Sequence, residues 1–340
     1  MKTLHFVSTL LIGAVLLTGC SSPETQAPNA KTEVGTRSSD LALAERAGAP
    51  LFEGMGQYEM PITTQDADAQ RYFNQGMVLA FAFNHAESIR SFRAAQRLDP
   101  TCAMCFWGEA LATGPNINVT SKGKVIMAPA ERIAAYAALQ KAIALQDNVT
   151  PREQGYINAL ANRYNGDLNS DRAPLDLAWA DAMGGLAAQY PEDMTAASIY
   201  AEALMNTMPW NYWSDDGIAK PETSAVIASL DRVLDVEPNH PLALHLYIHA
   251  LEASNDPGRA EPAADRLANL VPGAGHLVHM PSHIFYRVGR YNDAAIANQR
   301  AADVDEAYIA ACNAQGFYPA LYYPHNIHFL WAASTMQGQS

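Results

Sequence analysis

His245-Leu-Tyr-Ile-His249 and His279-Met-Pro-Ser-His283 carry their histidines at one offset: His245 lies 34 residues before His279, and His249 lies 34 before His283. A self-similar step of this length marks stacked helical units, each of which leans on a neighbour to bury its apolar face. Pro238 and Pro272, Leu251 and Phe285, Ala260 and Ala294, and Leu267 and Ala301 keep the same step. The histidines therefore occupy equivalent places in adjacent units. Residues four apart share a helix face, so each pair points one way and four or five imidazoles are expected to converge.

Outward from this stretch the same grammar recurs. Residues 72–83 and 86–98 read as a helix pair stopped by Asp99-Pro100, and 129–146 reads as a plain amphipathic helix. Further pairs are expected at 151–164 with 174–190, 194–208 with 222–236, 242–254 with 259–270, and 281–288 with 292–302. An insertion follows Gly114-Pro-Asn116-Ile-Asn118, and an aromatic loop holds Trp210, Tyr212 and Trp213. Residues 322–336 begin one more first helix without a partner, so the array is expected to be incomplete at its C-terminal end.

Tyr72, Gly76, Ser88, Phe92, Ala95 and Pro100 fall at the spacing of the packing residues of the tetratricopeptide repeat, and Gly289-Arg-Tyr291 is similar to its inter-helix turn. Small residues let two helices approach, large ones fill the gap, and proline ends the hairpin. The resemblance covers residues from about 69 to 305 and implies an all-α fold: an α-solenoid of paired antiparallel helices spanning 41–340, whose first helices line a concave groove.

Residues 1–20 stand apart. Lys2, an apolar run over 6–17 and Leu17-Thr18-Gly19-Cys20 read as an export signal. The run falls short of the roughly 20 residues of a spanning helix. The motif resembles the lipobox of bacterial lipoproteins, which implies cleavage before Cys20, a lipidated Cys20 and a periplasm-facing membrane anchor in the cell envelope. Ser21 and Ser22 lack the acidic residue that resembles an inner-membrane retention signal, which points to the outer membrane. Residues 21–40, rich in Ser, Thr, Pro and Gly, read as a flexible tether.

The net charge of −13 moves to −14 once Lys2 is removed with the signal. Nucleic acid and anionic lipid surfaces suit this balance poorly, and cationic metals or basic peptides suit it better. Cys102 and Cys105 fit a structural disulfide, half of a metal site or a redox pair, and an exported compartment favours the disulfide.

Two functions compete for the groove. The leading one is a membrane-anchored scaffold that binds a protein or peptide in the cell envelope, with the amides of Asn116 and Asn118 and the imidazoles of His325 and His328 reaching the ligand. The alternative is a metal-binding protein or metalloenzyme. Adjacent helices lie roughly 8–10 Å apart, so His245, His249, Glu252, His276, His279 and His283 could reach one ion, and imidazoles with a carboxylate fit zinc, copper or iron. His85 reads as a packing residue. No His-Glu-x-x-His, Gly-x-Ser-x-Gly or Gly-x-Gly-x-x-Gly occurs, which removes zincin proteases, serine hydrolases and dinucleotide enzymes of the usual patterns.

Overall fold

A computed structural model describes residues 38–339. The expected signal, Cys20 and residues 21–37 of the expected tether lie outside them. Residues 38–40, the end of that tether, already belong to helix α1 (Ser38–Ala47).

The described chain is all-α apart from one short hairpin. Helices α2 (Ala67–Phe81), α3 (His85–Leu98), α4 (Ala103–Thr113) and α5 (Pro129–Leu145) each pack on the next. Helix α6 (Pro151–Leu160) packs on α7 (Arg172–Gln189), α7 on α8 (Met194–Thr207), α8 on α9 (Pro221–Val236), and α9 on α10 (Pro241–Leu251). Then come α11 (Glu261–Leu267), α12 (Gly275–His279), α13 (Pro281–Arg287), α14 (Tyr291–Cys312) and α15 (Tyr323–Met336), with α14 packed on α12, α13 and α15. The insertion forms an antiparallel hairpin of β1 (Thr120–Ser121) and β2 (Lys124–Val125).

Helix starts follow the side chains that satisfy their free N–H groups. Asp66, Asn84, Asp193 and His240 cap α2, α3, α8 and α10. Thr150 and Glu153 form a reciprocal capping box on α6. Proline opens α5, α6, α9, α10 and α13, where its missing N–H costs nothing.

Two departures from the sequence reading bear on the histidines. The first helix of the last pair is broken: α12 ends at His279, and α13 restarts at Pro281, which has no N–H to offer. His276 thus lies inside helix rather than before it. Helix α14 runs on to Cys312 instead of stopping near 302, because Ala297, Ala301, Ala302 and Asp305 keep a buried face across the expected end.

Close packing is clearest at Phe92, whose ring lies between α2 and α4. A Cβ on Gly76 or Gly108 would lie 2.8 or 2.3 Å from that ring. Gly108→Val is therefore expected to lower stability by about 2–3 kcal/mol through overpacking. Gly185→Ala on α7, with nothing within 4 Å of its new methyl, is expected to gain up to about 1 kcal/mol of helix propensity. Urea melts of both variants against the parent would check the opposite signs.

Residues 48–63 form a strap across distant elements. Ala49 O accepts from the Tyr72 hydroxyl (2.5 Å), Gly54 O accepts from Gly273 N (2.9 Å), Tyr58 and Thr195 hydroxyls share a bond (2.8 Å), and Thr63 N and Oγ1 donate to Glu153. Helix α10 packs on α2 behind this strap. The end of α2 is thereby brought against the histidine-bearing helices.

Candidate metal centre

Helix α10 carries His245 and His249 one turn apart, α12 carries His276 and His279, α13 carries His283, and α15 carries His325. Their rings form one continuous patch. His245 lies 4.9 Å from His249 and 5.1 Å from His276 between centroids, His276 lies 5.6 Å from His279, and His279 lies 4.8 and 4.7 Å from His283 and His325. All are buried except His325, which is half-buried.

The partners of the ring nitrogens fix their protons. His245 Nδ1 donates to Phe81 O (2.6 Å), and His279 Nδ1 donates to Asn298 Oδ1 (2.5 Å). That asparagine cannot flip to offer a donor instead, because its Nδ2 donates to Ala294 O (2.7 Å). His249 Nδ1 and His283 Nδ1 each donate to one oxygen of Glu252, both at 2.7 Å. Burial alone would raise the Glu252 carboxyl, but the facing His283 and the bonds from both imidazoles outweigh it and hold the group below its ordinary range, ionised and able only to accept.

His245, His249 and His279 therefore present Nε2 as a lone pair. Burial pushes His245, His249, His276 and His279 below the usual histidine value and His325 down to about 4, and neighbouring imidazoles reinforce the trend, so these rings are neutral near pH 7. Nε2 of His245, Nε2 of His249 and both ring nitrogens of His276 have no hydrogen-bond partner among the described residues. Each such buried atom costs roughly 1–3 kcal/mol. Nε2 of His279 and Nε2 of His283 face each other at 2.9 Å, hydrogen-bond distance. Nitrogens bound tetrahedrally to one ion at about 2.0–2.1 Å would stand about 3.3 Å apart.

These atoms fall into groups that could hold a metal ion: His245, His249 and His276; His279, His283 and His325; and His249, Glu252 and His283, with ligand atoms within 4.8 Å of one another in each. In the last group the nitrogen-to-oxygen distances are those of hydrogen bonds. Glu252 is thus placed to orient two candidate ligands, the usual role of a carboxylate behind a metal-binding histidine.

Aromatic rings wall both triads. Phe83 lies 4.5, 6.4 and 5.6 Å from His245, His249 and His276, and Phe329 lies 5.0, 4.5 and 4.7 Å from His279, His283 and His325. Phe83 holds φ at +56°, rare for a bulky residue and costly in backbone strain. Trp210, also at positive φ (+62°) and half-exposed, lies perpendicular to His249 with ring centroids 5.1 Å apart. The neighbouring Trp213 is tied down by a bond to Ala250 O (2.8 Å).

The expected groove residues separate. His325 joins the cluster, whereas His328 is exposed and stacks on Trp331 at 5.8 Å. Asn116 and Asn118 spend their amides on the Tyr322 hydroxyl (3.5 and 3.1 Å), and Asn116 also meets His85 Nε2 (3.2 Å). Tyr322 in turn lies 4.7 Å from His276. These asparagines therefore brace the aromatic wall and do not face an open groove. His85 is half-buried at the start of α3 against Phe83, and desolvation lowers it to about 4. Cys102 and Cys105 are joined in a disulfide at the start of α4, remote from the histidine groups. Phe81, Phe83 and Asn298 carry no spacing signal, since they reach the cluster from outside the repeated histidine phrases, whereas Phe329 lies four residues after His325 on α15.

A single π turn, Tyr318–Tyr322, leads into α15 and turns Tyr318 and Tyr322 inward together. Tyr318 Oη accepts from His276 N (3.2 Å) and donates to Asp305 Oδ1 (2.8 Å), and Asn326 Nδ2 donates to Asp305 Oδ2 (2.7 Å). Burial raises the Asp305 carboxyl to about 7. Because the folded value lies above the unfolded one, its contribution is fully present below pH ~4 and is lost as pH rises through about 7. The full span is worth on the order of 3–4 kcal/mol. Buried neutral histidines act with the opposite sign, so the comparison must be differential. Urea titrations at pH 5 and pH 8 are expected to show that Asp305→Asn loses less stability than the parent on going to the higher pH. Parallel behaviour would remove Asp305 as the source.

No protein-family model matches the chain, and a search of curated proteins finds no significant match.

Proposed function

We propose that the chain binds a transition metal at its buried imidazole cluster. The observation that carries this reading is a set of buried ring nitrogens without partners: His245 and His249 commit Nδ1 outward, and their Nε2 atoms and both ring nitrogens of His276 meet no hydrogen-bond partner among the described residues. A packing role for these histidines would pair such atoms with donors, and a cation satisfies them all. Imidazole donors suit zinc, copper or iron.

The test is metal content of the full chain prepared without a histidine tag, followed by His249→Ala and His283→Ala. Stoichiometric zinc, copper or iron is expected in the parent and reduced content in both variants. A folded parent that takes up none of the three ends the proposal.

The helix pairs are proposed to be tetratricopeptide-like units, a reading supported by Phe92 against Gly76 and Gly108 and by Gly289 at φ +83° in the turn before α14. A second reading, recruitment of an envelope protein or peptide, is favoured by a different surface from the one expected. Phe317, Leu321, Ile327, Trp331 and Met336 are exposed, and no charged residue follows Glu306. Pull-down that fails with Trp331→Glu but survives metal chelation would support it. The lipid anchor at Cys20 also stands as a proposal, checked by whether Cys20→Ser abolishes labelling with radioactive palmitate.

A further inference from the structure

We infer that the cluster is a two-ion centre built for copper(I), one ion in the His245, His249 and His276 triad and one in the His279, His283 and His325 triad. This inference rests on the metal-binding reading above and adds number, oxidation state and ligand sets.

Number follows from the donors. A single ion in the first triad would satisfy the unpartnered nitrogens of His245, His249 and His276 and leave the facing Nε2 atoms of His279 and His283, with His325 beside them, as a second donor set. The six rings divide without sharing, each triad having ligand atoms within 4.8 Å of one another. Each triad also has its own phenyl ring, Phe83 over the first and Phe329 over the second.

Oxidation state follows from charge and coordination number. An imidazole that ligates through a ring nitrogen brings no charge of its own, and Glu252 is the one carboxylate hydrogen-bonded to the six rings. Two divalent ions would bring four positive charges into a buried, aromatic-walled space against that single negative one, whereas two copper(I) ions bring two. The cost of burying charge rises steeply with its magnitude, so the lower charge wins. Structural zinc sites close with four protein ligands, and catalytic ones keep the fourth place for water. Here each triad offers three imidazole nitrogens, and the phenyl ring packed against its imidazoles adds no lone pair. Copper(I), with a filled d shell and a soft, low charge, accepts three nitrogens alone.

The experiment is an anaerobic copper(I) titration of the full chain carrying Cys312→Ser, which removes the one free thiol among the described residues. A chromophoric copper(I) chelator competes, with ascorbate as reductant, and the titration is repeated with zinc. Copper(I) is expected to saturate at two per chain, with X-ray absorption giving three nitrogen neighbours per copper. His325→Ala, at the half-buried edge, is expected to fold as judged by circular dichroism and to retain one copper. An equimolar mixture should yield a chain loaded with copper at least tenfold over zinc. Saturation at one copper, a fourth ligand at each ion, or equal loading by zinc overturns the inference while leaving a metal-binding protein. Uptake of no metal overturns both readings.

Discussion

Replacing Glu252 by alanine is expected to weaken metal binding at both triads, by about 10–100-fold at each, the usual cost of losing an orienting partner. One carboxylate accepts the Nδ1 protons of His249 and His283, which belong to different triads. Without it both rings can move their proton to Nε2, the atom needed for ligation, and each must shed that proton before an ion can bind. Glutamine is a sharper probe. Its amide keeps one accepting oxygen and puts a donor where the other was, so Glu252→Gln should weaken one triad more than the other. Competitive titration, read beside thermal midpoints of metal-free protein, separates this from loss of fold. Unchanged affinity in the alanine variant would reduce Glu252 to a packing residue.

Asp176→Asn is expected to remove about 3–5 kcal/mol of stability, the usual result of taking one partner from a buried ion pair. Asp176 on α7 receives the Arg172 guanidinium and lies 3.9 Å from Arg163 Nε, and all three side chains are at most 5 % exposed. Asparagine keeps the volume and leaves two buried cations facing an amide. The damage should spread to the cluster, because Arg163 also donates to Pro115 O (2.7 Å), beside the asparagines that hold Tyr322 against His276. A chemical melt would show the loss as a lowered midpoint with unchanged slope. A shift below about 1 kcal/mol would mean that solvent reaches the pair after all.

The histidine phrases were legible because a helix of 3.6 residues per turn maps a spacing of four onto one face. The same logic grouped His245 with His249 and His279 with His283, and located Glu252. What spacing could not convey was depth. The concave face was expected to meet solvent, yet Phe83 from the end of α2 and Phe329 from α15 close over the imidazoles. Those contacts join residues far apart in sequence, and no local periodicity records them. His325 and His328 illustrate the same limit. Three positions apart on α15, they looked equivalent, but one turns to the cluster and the other to Trp331. The break at Met280–Pro281 was written in the proline, whereas the onward run of α14 came from a tertiary face that outlasts the repeat unit.

Phe81 and Phe83 enter the centre from near the beginning of the described chain, and His325 and Phe329 enter from near its end. The first triad lacks its phenyl wall until the early region has docked, and the second lacks its wall and His325 until the late region has. An ion offered to a growing or partly folded chain meets scattered imidazoles with no common focus. On the metal-binding reading proposed above, loading follows the docking of both regions, in contrast to small zinc modules whose chains fold around their ion.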